Sequence, residues 1–227
     1  MAERGKDRDF GRAAGTAPFI FGVSGHRDLV SADLPELRTQ IETVYSRFRS
    51  AYPDASLQLL SPLAEGADRL AAELALACGI KLFVPVPMAQ AEYEADFASA
   101  TSLGEFRRLL AAAELSWEVS NEDESKEPRR SDTDIRAMKY AAVGDYIAQK
   151  SHVLLLLWDG RDNEKVGGTA WVRKRREYWI EAANKGGSEP DTFGYVRTIQ
   201  IVTPRVTTAK SSQKRPRIEI IGDLPVG

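Results

Sequence analysis

The sequence predicts a doubly wound α/β domain, with a mainly parallel sheet covered by helices on both faces. Short apolar runs alternate with longer stretches of helical periodicity about five times along the chain. The first run stops at a glycine, as a buried strand does where the chain must turn sharply. Because parallel strands need crossover connections, usually helices, this alternation favours a parallel sheet.

The first half of the chain contains three predicted strands, each followed by helical sequence. The strand PFIFGVSG precedes an amphipathic helix over about residues 34–48. SLQLLSPLA predicts the second strand, and GADRLAAELALACG predicts the second helix, closed by Gly79. IKLFVPVPM predicts the third strand, since its prolines lie toward its end, and two helical stretches follow around residues 91–99 and 104–113.

The second half begins with LSWEVS, a predicted fourth strand. The polar segment of residues 120–134 is predicted to be mobile, either as a lid or as an exposed loop. Helical sequence resumes at Ile135 and runs to about Lys150. HVLLLLW is the most apolar strand and is expected at the centre of the sheet. A helix over about residues 169–183 and a strand near residues 196–203 follow.

These elements suggest three parts of the chain. Residues 1–17 are predicted to be a flexible leader, residues 18–205 the folded domain, and residues 206–227 a C-terminal extension with a candidate edge strand, RIEIIG. No apolar run approaches the roughly 18 to 20 residues that span a bilayer, and the basic N-terminal residues lack the apolar core of a signal peptide. We therefore expect a cytoplasmic protein.

Composition limits the classes of function. The net charge of −2 provides no overall field that attracts nucleic acid, so no direct nucleic-acid binding is expected. The basic runs at residues 129–130 and 173–176 are bordered by acidic residues and are interpreted as solvated surface. The single cysteine, Cys78, excludes an internal disulfide, and two histidines disfavour a metal cluster. We predict no metal and no other cofactor.

The first candidate ligand loop is Ser24-Gly25-His26-Arg27, directly after the first strand. A glycine lets the backbone approach a phosphate, and Arg27 offers a fork of charged donors. His26 would either donate to the ligand or stabilise the turn. The alternative interpretation is a tight turn that carries a surface arginine.

The second candidate loop contains Glu65, Gly66 and Ala67, where a helix opens after the second strand. Free amides at a helix start favour an anion. Glu65 is suited to binding ribose hydroxyls or to acting as a general base. The alternative is that Glu65 only stabilises the helix start, and Asp68 is interpreted as a partner of the helix dipole.

The third candidate loop follows the most apolar strand. Asp159 could cap this loop or meet a ribose. Gly167, Gly168 and Thr169 lead into a helix, and their amides and hydroxyl form a predicted phosphate nest. The alternative is a flexible turn with Thr169 as the N-cap.

All three loops are expected at one edge of the sheet, because ligands of such sheets bind outside the carboxyl ends of the strands. The sequence contains no Walker, GxGxxG, HExxH or GxSxG pattern. With only two histidines, a serine–histidine hydrolase is poorly supported.

Taken together, GVSGHRDL, LSPLAEGADRLAAELAL, KYAAVGDYIAQKSHVLLLLWDG and GGTAWV resemble the SLOG superfamily, over roughly residues 18–205. Members of this superfamily are Rossmann-like nucleotide-binding domains related to the LOG-type phosphoribohydrolases and to the DNA-processing protein DprA. The similarity is greatest to the prokaryotic branch found in conflict and nucleotide-signalling systems. It implies a nucleotide ligand, self-association into a homo-oligomer, and an effector or membrane-associated partner domain.

The resemblance also implies site residues. The phosphate-binding positions correspond to Gly25, Gly167, Gly168 and Thr169, and the strand-two loop corresponds to Glu65 and Gly66. LOG enzymes carry PGGxGTxxE, whose glutamate helps to cleave the N-glycosidic bond.

This sequence has Val172 at the position of that glutamate. We therefore expect a nucleotide sensor. The alternatives are an N-glycosidase that uses Glu65 as its catalytic carboxylate, or a scaffold domain with a vestigial pocket.

Overall fold

The computed structural model describes residues 17–97, 99–119, 131–162, 165–186, 197–209 and 217–225. The strands are β1 (Pro18–Gly25), β2 (Ser56–Leu60), β3 (Lys81–Val86), β4 (Leu115–Glu118), β5 (Val153–Trp158), β6 (Arg197–Val202) and β7 (Ile220–Ile221). The helices are α1 (Leu34–Ala51), α2 (Ala67–Ala77), α3 (Gln90–Glu94), α4 (Ala100–Ala111), α5 (Asp132–Lys150), α6 (Thr169–Gly186) and α7 (Val206–Ala209).

The strands form one sheet in the order β4-β3-β2-β1-β5-β6-β7. Strands β1 to β6 pair in parallel, and β7 pairs antiparallel with β6 at one edge. From β1 the chain winds outward to β4, then crosses back through α5 to β5 on the other side of β1. The predicted fold class, a doubly wound and mainly parallel α/β sheet, is confirmed.

Helices cover both faces of the sheet because side chains alternate along each buried strand. In β1, Phe19 and Phe21 pack into a core with α1, α2, α3 and α4, whereas Ile20 packs into a second core with α5 and α6. Strand β5 divides in the same way, with Leu155 in the first core and Leu154 in the second. Both faces of these strands are therefore shielded from solvent.

Strand β5 lies between β1 and β6, one position from the middle strand β1. All six of its residues are buried. A strand covered on both faces has no polar position, which explains why its sequence is a continuous apolar run without alternation. Its predicted central location is nearly that observed.

Helix α5 begins earlier than the sequence predicts. Ser131 is its N-cap and accepts a hydrogen bond from the Asp134 amide at 3.3 Å. The last part of the segment predicted to be mobile is thus the helix start, because a serine cap and two acidic residues in the first turn satisfy the helix dipole. Residues 120–130 and residues 1–16 of the predicted leader lie outside the described residues.

The basic run at residues 173–176 is not all solvated surface, as the sequence suggests. Arg176 is only 2% exposed. Its guanidinium donates hydrogen bonds at 2.7 Å to the carbonyl oxygens of Ala148, Ser151 and His152. The end of α5 leaves carbonyls without intrahelical donors, and this arginine satisfies them from α6. The solvated interpretation of Arg176 is wrong.

Among the described residues, no helix is both long enough and apolar enough to cross a membrane.

Candidate functional site

A cleft of about 410 Å³ opens at the carboxyl ends of β1 and β2 and at the start of α6. The chain leaves β1 in one direction toward β2, and β5 lies on the opposite side of β1. This is the point where the winding of the sheet reverses. Crossover helices on either side of such a point diverge and leave a crevice, which is where ligands of doubly wound sheets bind.

The structure brings all three predicted loops to this cleft, although not every predicted residue lines it. The lining residues that the sequence predicts are Ser24, Gly25, His26, Arg27, Gly167, Gly168 and Thr169. Glu65, Gly66, Ala67 and Asp159 do not line it. The second loop contributes Pro62, Ala64 and Asp68 instead.

Gly25 and Gly66 are required by close packing between β1 and the start of α2. A Cβ atom on Gly25 would lie 2.4 Å from the Ala67 Cβ, and a Cβ on Gly66 would lie 2.4 Å from the Arg27 carbonyl oxygen. Gly66 also has φ of 80°, which disfavours any other residue. The Ala67 amide donates to the His26 carbonyl at 3.0 Å, so this amide is already satisfied. These glycines allow contact between protein segments.

The third loop places the start of α6 at the cleft. Gly167 has φ of 74°, and a Cβ there would lie 3.0 Å from the Ala141 amide nitrogen. The Gly168 amide donates to the Lys165 carbonyl at 3.0 Å, which closes the turn before the helix. The amides of the first helical turn have no partner within the helix, and Thr169 lines the cleft beside them. This end of α6 therefore favours a negative charge.

His26 and Asp159 are in direct contact at the ends of β1 and β5. The His26 Nε2 accepts a hydrogen bond from the Asp159 amide at 3.0 Å and lies 3.1 Å from the Asp159 Oδ1. That Oδ1 also accepts from the Arg161 amide at 3.1 Å. Burial lowers the pKa of His26, and nearby Arg205 adds to the effect, although Asp159 opposes it. His26 thus joins the ends of β1 and β5, and Asp159 caps its own loop.

Glu65 is directed away from the cleft. Its Oε1 accepts a hydrogen bond from the Ser102 hydroxyl on α4. The same hydroxyl accepts from buried Arg69 at 2.8 Å, and Arg69 also donates to the Leu63 carbonyl at 3.0 Å. Leu63 is fully buried with φ of 58°, a strained conformation held by this arginine. The predicted catalytic carboxylate is therefore part of a contact between the β2–α2 loop and α4.

The carboxyl group that does line the cleft belongs to Asp68. This side chain is 5% exposed, and its Oδ1 has no hydrogen-bond partner among the described residues. Burial raises the pKa of Asp68 to about 7, although Arg27 and the backbone amides of Ala64 and Gly25 favour the ionised form. Sequence reasoning missed this residue. The available signal was that α2 is apolar on all sides, so a polar residue in it must be buried.

Helix α5 forms another wall of the cleft, and the sequence did not predict that this helix belongs to the site. Arg136, Tyr140, Val143 and Ile147 line the cleft at helical spacing. The Tyr140 hydroxyl hydrogen-bonds Asp96, whose other oxygen accepts from Arg136 at 2.5 Å. Their three- and four-residue spacing was the signal that could have placed them on one face.

Basic side chains outnumber acidic ones in the cleft. The basic residues are Arg27, Arg136, Lys165 and Arg205, and the acidic ones are Asp68 and Asp96. Arg205 pairs with Asp28 at 2.8 Å, outside the lining. Arg27 is exposed, lies 5.4 Å from the centre of the Tyr140 ring, and makes no ion pair with the carboxylates of the described residues. Arg27 is therefore able to pair with a bound anion.

Within the described ranges, no group of three or more histidine, cysteine, aspartate or glutamate side chains is arranged to hold a metal ion.

The fold and the cleft define a Rossmann-like, doubly wound α/β domain with its ligand crevice at the switch point. No protein-family model matches the sequence, and no curated protein matches it significantly. Two similar solved structures are both DNA processing protein A. The protein from Streptococcus pneumoniae is 15% identical, with a TM-score of 0.48 over 72% of this chain and 48% of that chain. The protein from Helicobacter pylori is 14% identical, with a TM-score of 0.41 over 75% of this chain and 73% of that chain.

This chain spans about half the length of the Streptococcus pneumoniae protein. At these identities the likeness concerns the fold alone.

The expectation of no direct nucleic-acid binding is wrong, because the neighbour from Helicobacter pylori is described as binding single-stranded DNA. The expectation used the net charge of −2, which is an average over the whole chain. Binding responds to the local field of a surface, and the cleft of this chain has an excess of basic side chains.

Proposed function

We propose that this chain binds a nucleotide or a nucleotide-derived ligand in the switch-point cleft. In this proposal a phosphate lies against the start of α6 and the guanidinium of Arg27. The observation that carries it is that one crevice contains both an open helix start and Arg27, which makes no ion pair with a carboxylate of the described residues. A helix N-terminus provides directed amide donors, and an arginine adds two parallel charged donors.

The remaining lining suits the other parts of a nucleotide. The cleft volume of about 410 Å³ lies within the range of small-molecule sites. Pro62, Pro87 and Val166 contribute apolar surface, and Val166 is 47% exposed at the cleft. An exposed apolar side chain beside charged donors is suited to packing against a base or a sugar.

We extend the proposal to membership of the SLOG superfamily, with residues 18–205 as its domain and a role in nucleotide sensing within a signalling or defence system. Binding is favoured over hydrolysis, because Val172 stands where LOG enzymes have their glutamate and is buried in the second core. Ligand-linked self-association and an effector or membrane-associated partner belong to the same proposal.

Calorimetry with AMP, ADP-ribose, NAD and cyclic AMP tests the proposal, and a short single-stranded DNA oligonucleotide forms a separate arm. Loss of one charge-assisted contact costs about 1.5 to 3 kcal/mol, so Arg27→Ala is expected to weaken binding by at least roughly tenfold. Arg47→Ala removes an exposed arginine of α1 that does not line the cleft, and is expected to leave affinity unchanged.

Binding of mononucleotides indicates a free nucleotide as the ligand, whereas binding of the oligonucleotide alone indicates nucleotide units within a strand. The proposal fails if none of these compounds binds at high-micromolar concentration. It also fails if Arg27→Ala and Arg47→Ala bind equally well.

A further inference from the structure

We propose that Asp68 contacts the bound anion in its protonated form, as a hydrogen-bond donor, so that the cleft takes up a proton together with its ligand. This inference rests on the proposed function and adds a determinant of recognition at the same site.

The position of the Asp68 carboxyl group favours direct contact with a ligand. Asp68 lies in the first turn of α2 and lines the cleft together with Gly25 and Arg27. Its side chain is more than nine-tenths buried, and its Oδ1 has no hydrogen-bond partner among the described residues. A buried polar atom without a partner is costly unless a ligand or water satisfies it. This unpaired oxygen belongs to a residue of the cleft wall, where a bound ligand can satisfy it.

The negative charge of the ligand favours the protonated form of Asp68. A phosphate held by Arg27 and by the start of α6 would share the cleft with Asp68. An ionised carboxylate repels a phosphate and offers it only acceptor oxygens. A protonated carboxyl group removes the repulsion and donates its hydrogen to a phosphate oxygen. Protonation thus turns an unfavourable neighbour into a further donor.

Asp68 titrates within the pH range in which binding can be measured. Burial raises its pKa to about 7, even though Arg27 favours the ionised form. A bound anion disfavours the ionised carboxylate further. The free protein is then mostly ionised at pH 8, and the complex is protonated.

Among the described groups around Asp68, His26 is the one that competes as the site of proton uptake. Four groups interact with it directly or through a shared partner: Arg27, Arg69, Tyr93 and Tyr140. The other charged or titratable groups of the cleft are His26, Asp96, Arg136, Lys165 and Arg205. Burial raises the pKa of both tyrosines above its ordinary value, and burial lowers that of His26. His26 must therefore be separated from Asp68 by mutation.

The experiment uses sulfate and ADP-ribose as probes, since neither changes its charge between pH 5.5 and pH 8.5 in the way that a phosphate monoester does. Affinity is measured by calorimetry across this range, in phosphate-free buffers of differing ionisation enthalpy. For the wild-type protein we expect affinity to fall about tenfold per pH unit above pH 7, with uptake of about one proton at pH 8.

The diagnostic variant is Asp68→Asn, which imitates the neutral acid at every pH. We expect it to bind as well as the wild type at pH 6 and about thirtyfold more tightly at pH 8.5, which is 1.5 pH units above the pKa of about 7. Its affinity is expected to be flat with pH. The matched control is Glu65→Gln, a carboxylate of the same loop that does not line the cleft, and it should keep the wild-type profile. Circular dichroism establishes that both variants are folded.

The outcomes separate this inference from the proposed function. If neither probe binds to the wild type or to Asp68→Asn at any pH, the proposed function fails. If the probes bind but Asp68→Asn retains the pH dependence, the proton belongs to His26 and this inference fails. It also fails if Asp68→Asn weakens binding at every pH, because the carboxylate is then an acceptor for the ligand.

Discussion

At the scale of single residues, the glycines of the candidate loops serve two purposes, close packing between protein segments and lining of the cleft, which sequence alone does not separate. Gly66 permits close packing of β1 against α2, Gly167 and Gly168 line the cleft, and Gly25 does both. Asp68, which reads as an ordinary first-turn carboxylate, is the acidic group buried at the cleft. Glu65, three residues earlier, is bound to Ser102 outside it. The two carboxylates differ in the direction in which their side chains point, and the sequence pattern does not specify that direction.

Asp68→Asn is expected to stabilise the ligand-free protein, and more so at high pH. Burial raises the pKa of Asp68 from 3.8 to about 7 in the folded state. The folded state then holds a proton that the unfolded chain has lost, so the free energy of unfolding falls as the pH rises from about 4 to about 7.

We expect the stabilisation by Asp68→Asn to be about 2 kcal/mol greater at pH 8 than at pH 5. Urea unfolding at the two pH values measures it. Asp54→Asn, an exposed turn carboxylate, serves as the control. An equal effect of Asp68→Asn at both pH values would contradict the raised pKa.

At the scale of the elements, α6 combines three tasks. Its first turn faces the cleft, its middle satisfies the end of α5 through Arg176, and its two tryptophans pack against the second core. Trp171 and Trp179 lie against the second core, and Trp179 donates to Asp145 at 2.8 Å. Packing therefore accounts for both tryptophans of α6, whereas Tyr178 is 52% exposed.

Arg176→Ala is expected to destabilise the fold by roughly 3 kcal/mol or more, because several buried carbonyl oxygens lose their donor. Lys174→Ala changes an exposed residue of the same basic run and is expected to cost less than about 0.5 kcal/mol. Urea unfolding of both variants provides the comparison. Similar stability of the two variants would show that the carbonyls find other partners.

At the scale of the whole molecule, the winding of the sheet determines where a ligand can bind. The reversal beside β1 brings together loops that are more than a hundred residues apart in the chain, such as those of Gly25 and Gly168. The cleft also contains groups from α5 that no loop motif indicated. The crevice is therefore lined at once by the end of β1 and by the starts of α2 and α6.

The sensing hypothesis predicts that ligand changes the association of the protein. We expect the mass measured by light scattering after gel filtration to differ between the ligand-free protein and the protein saturated with ADP-ribose. The monomer mass of 25.1 kDa is the reference. An unchanged mass despite measured binding would favour a scaffold whose assembly does not depend on the cleft.

The sequence by itself determined the α/β class, the succession of strands and helices, and the edge of the sheet at which the candidate loops lie. Period and apolarity are local properties, and burial on both faces of β5 is visible in its six residues. Only the tertiary structure decided which side chains reach the cleft. Whether Glu65 or Asp68 faces it depends on the positive φ values of Leu63 and Gly66 and on a contact with α4. Such contacts join residues far apart in the chain, and their directions follow from packing.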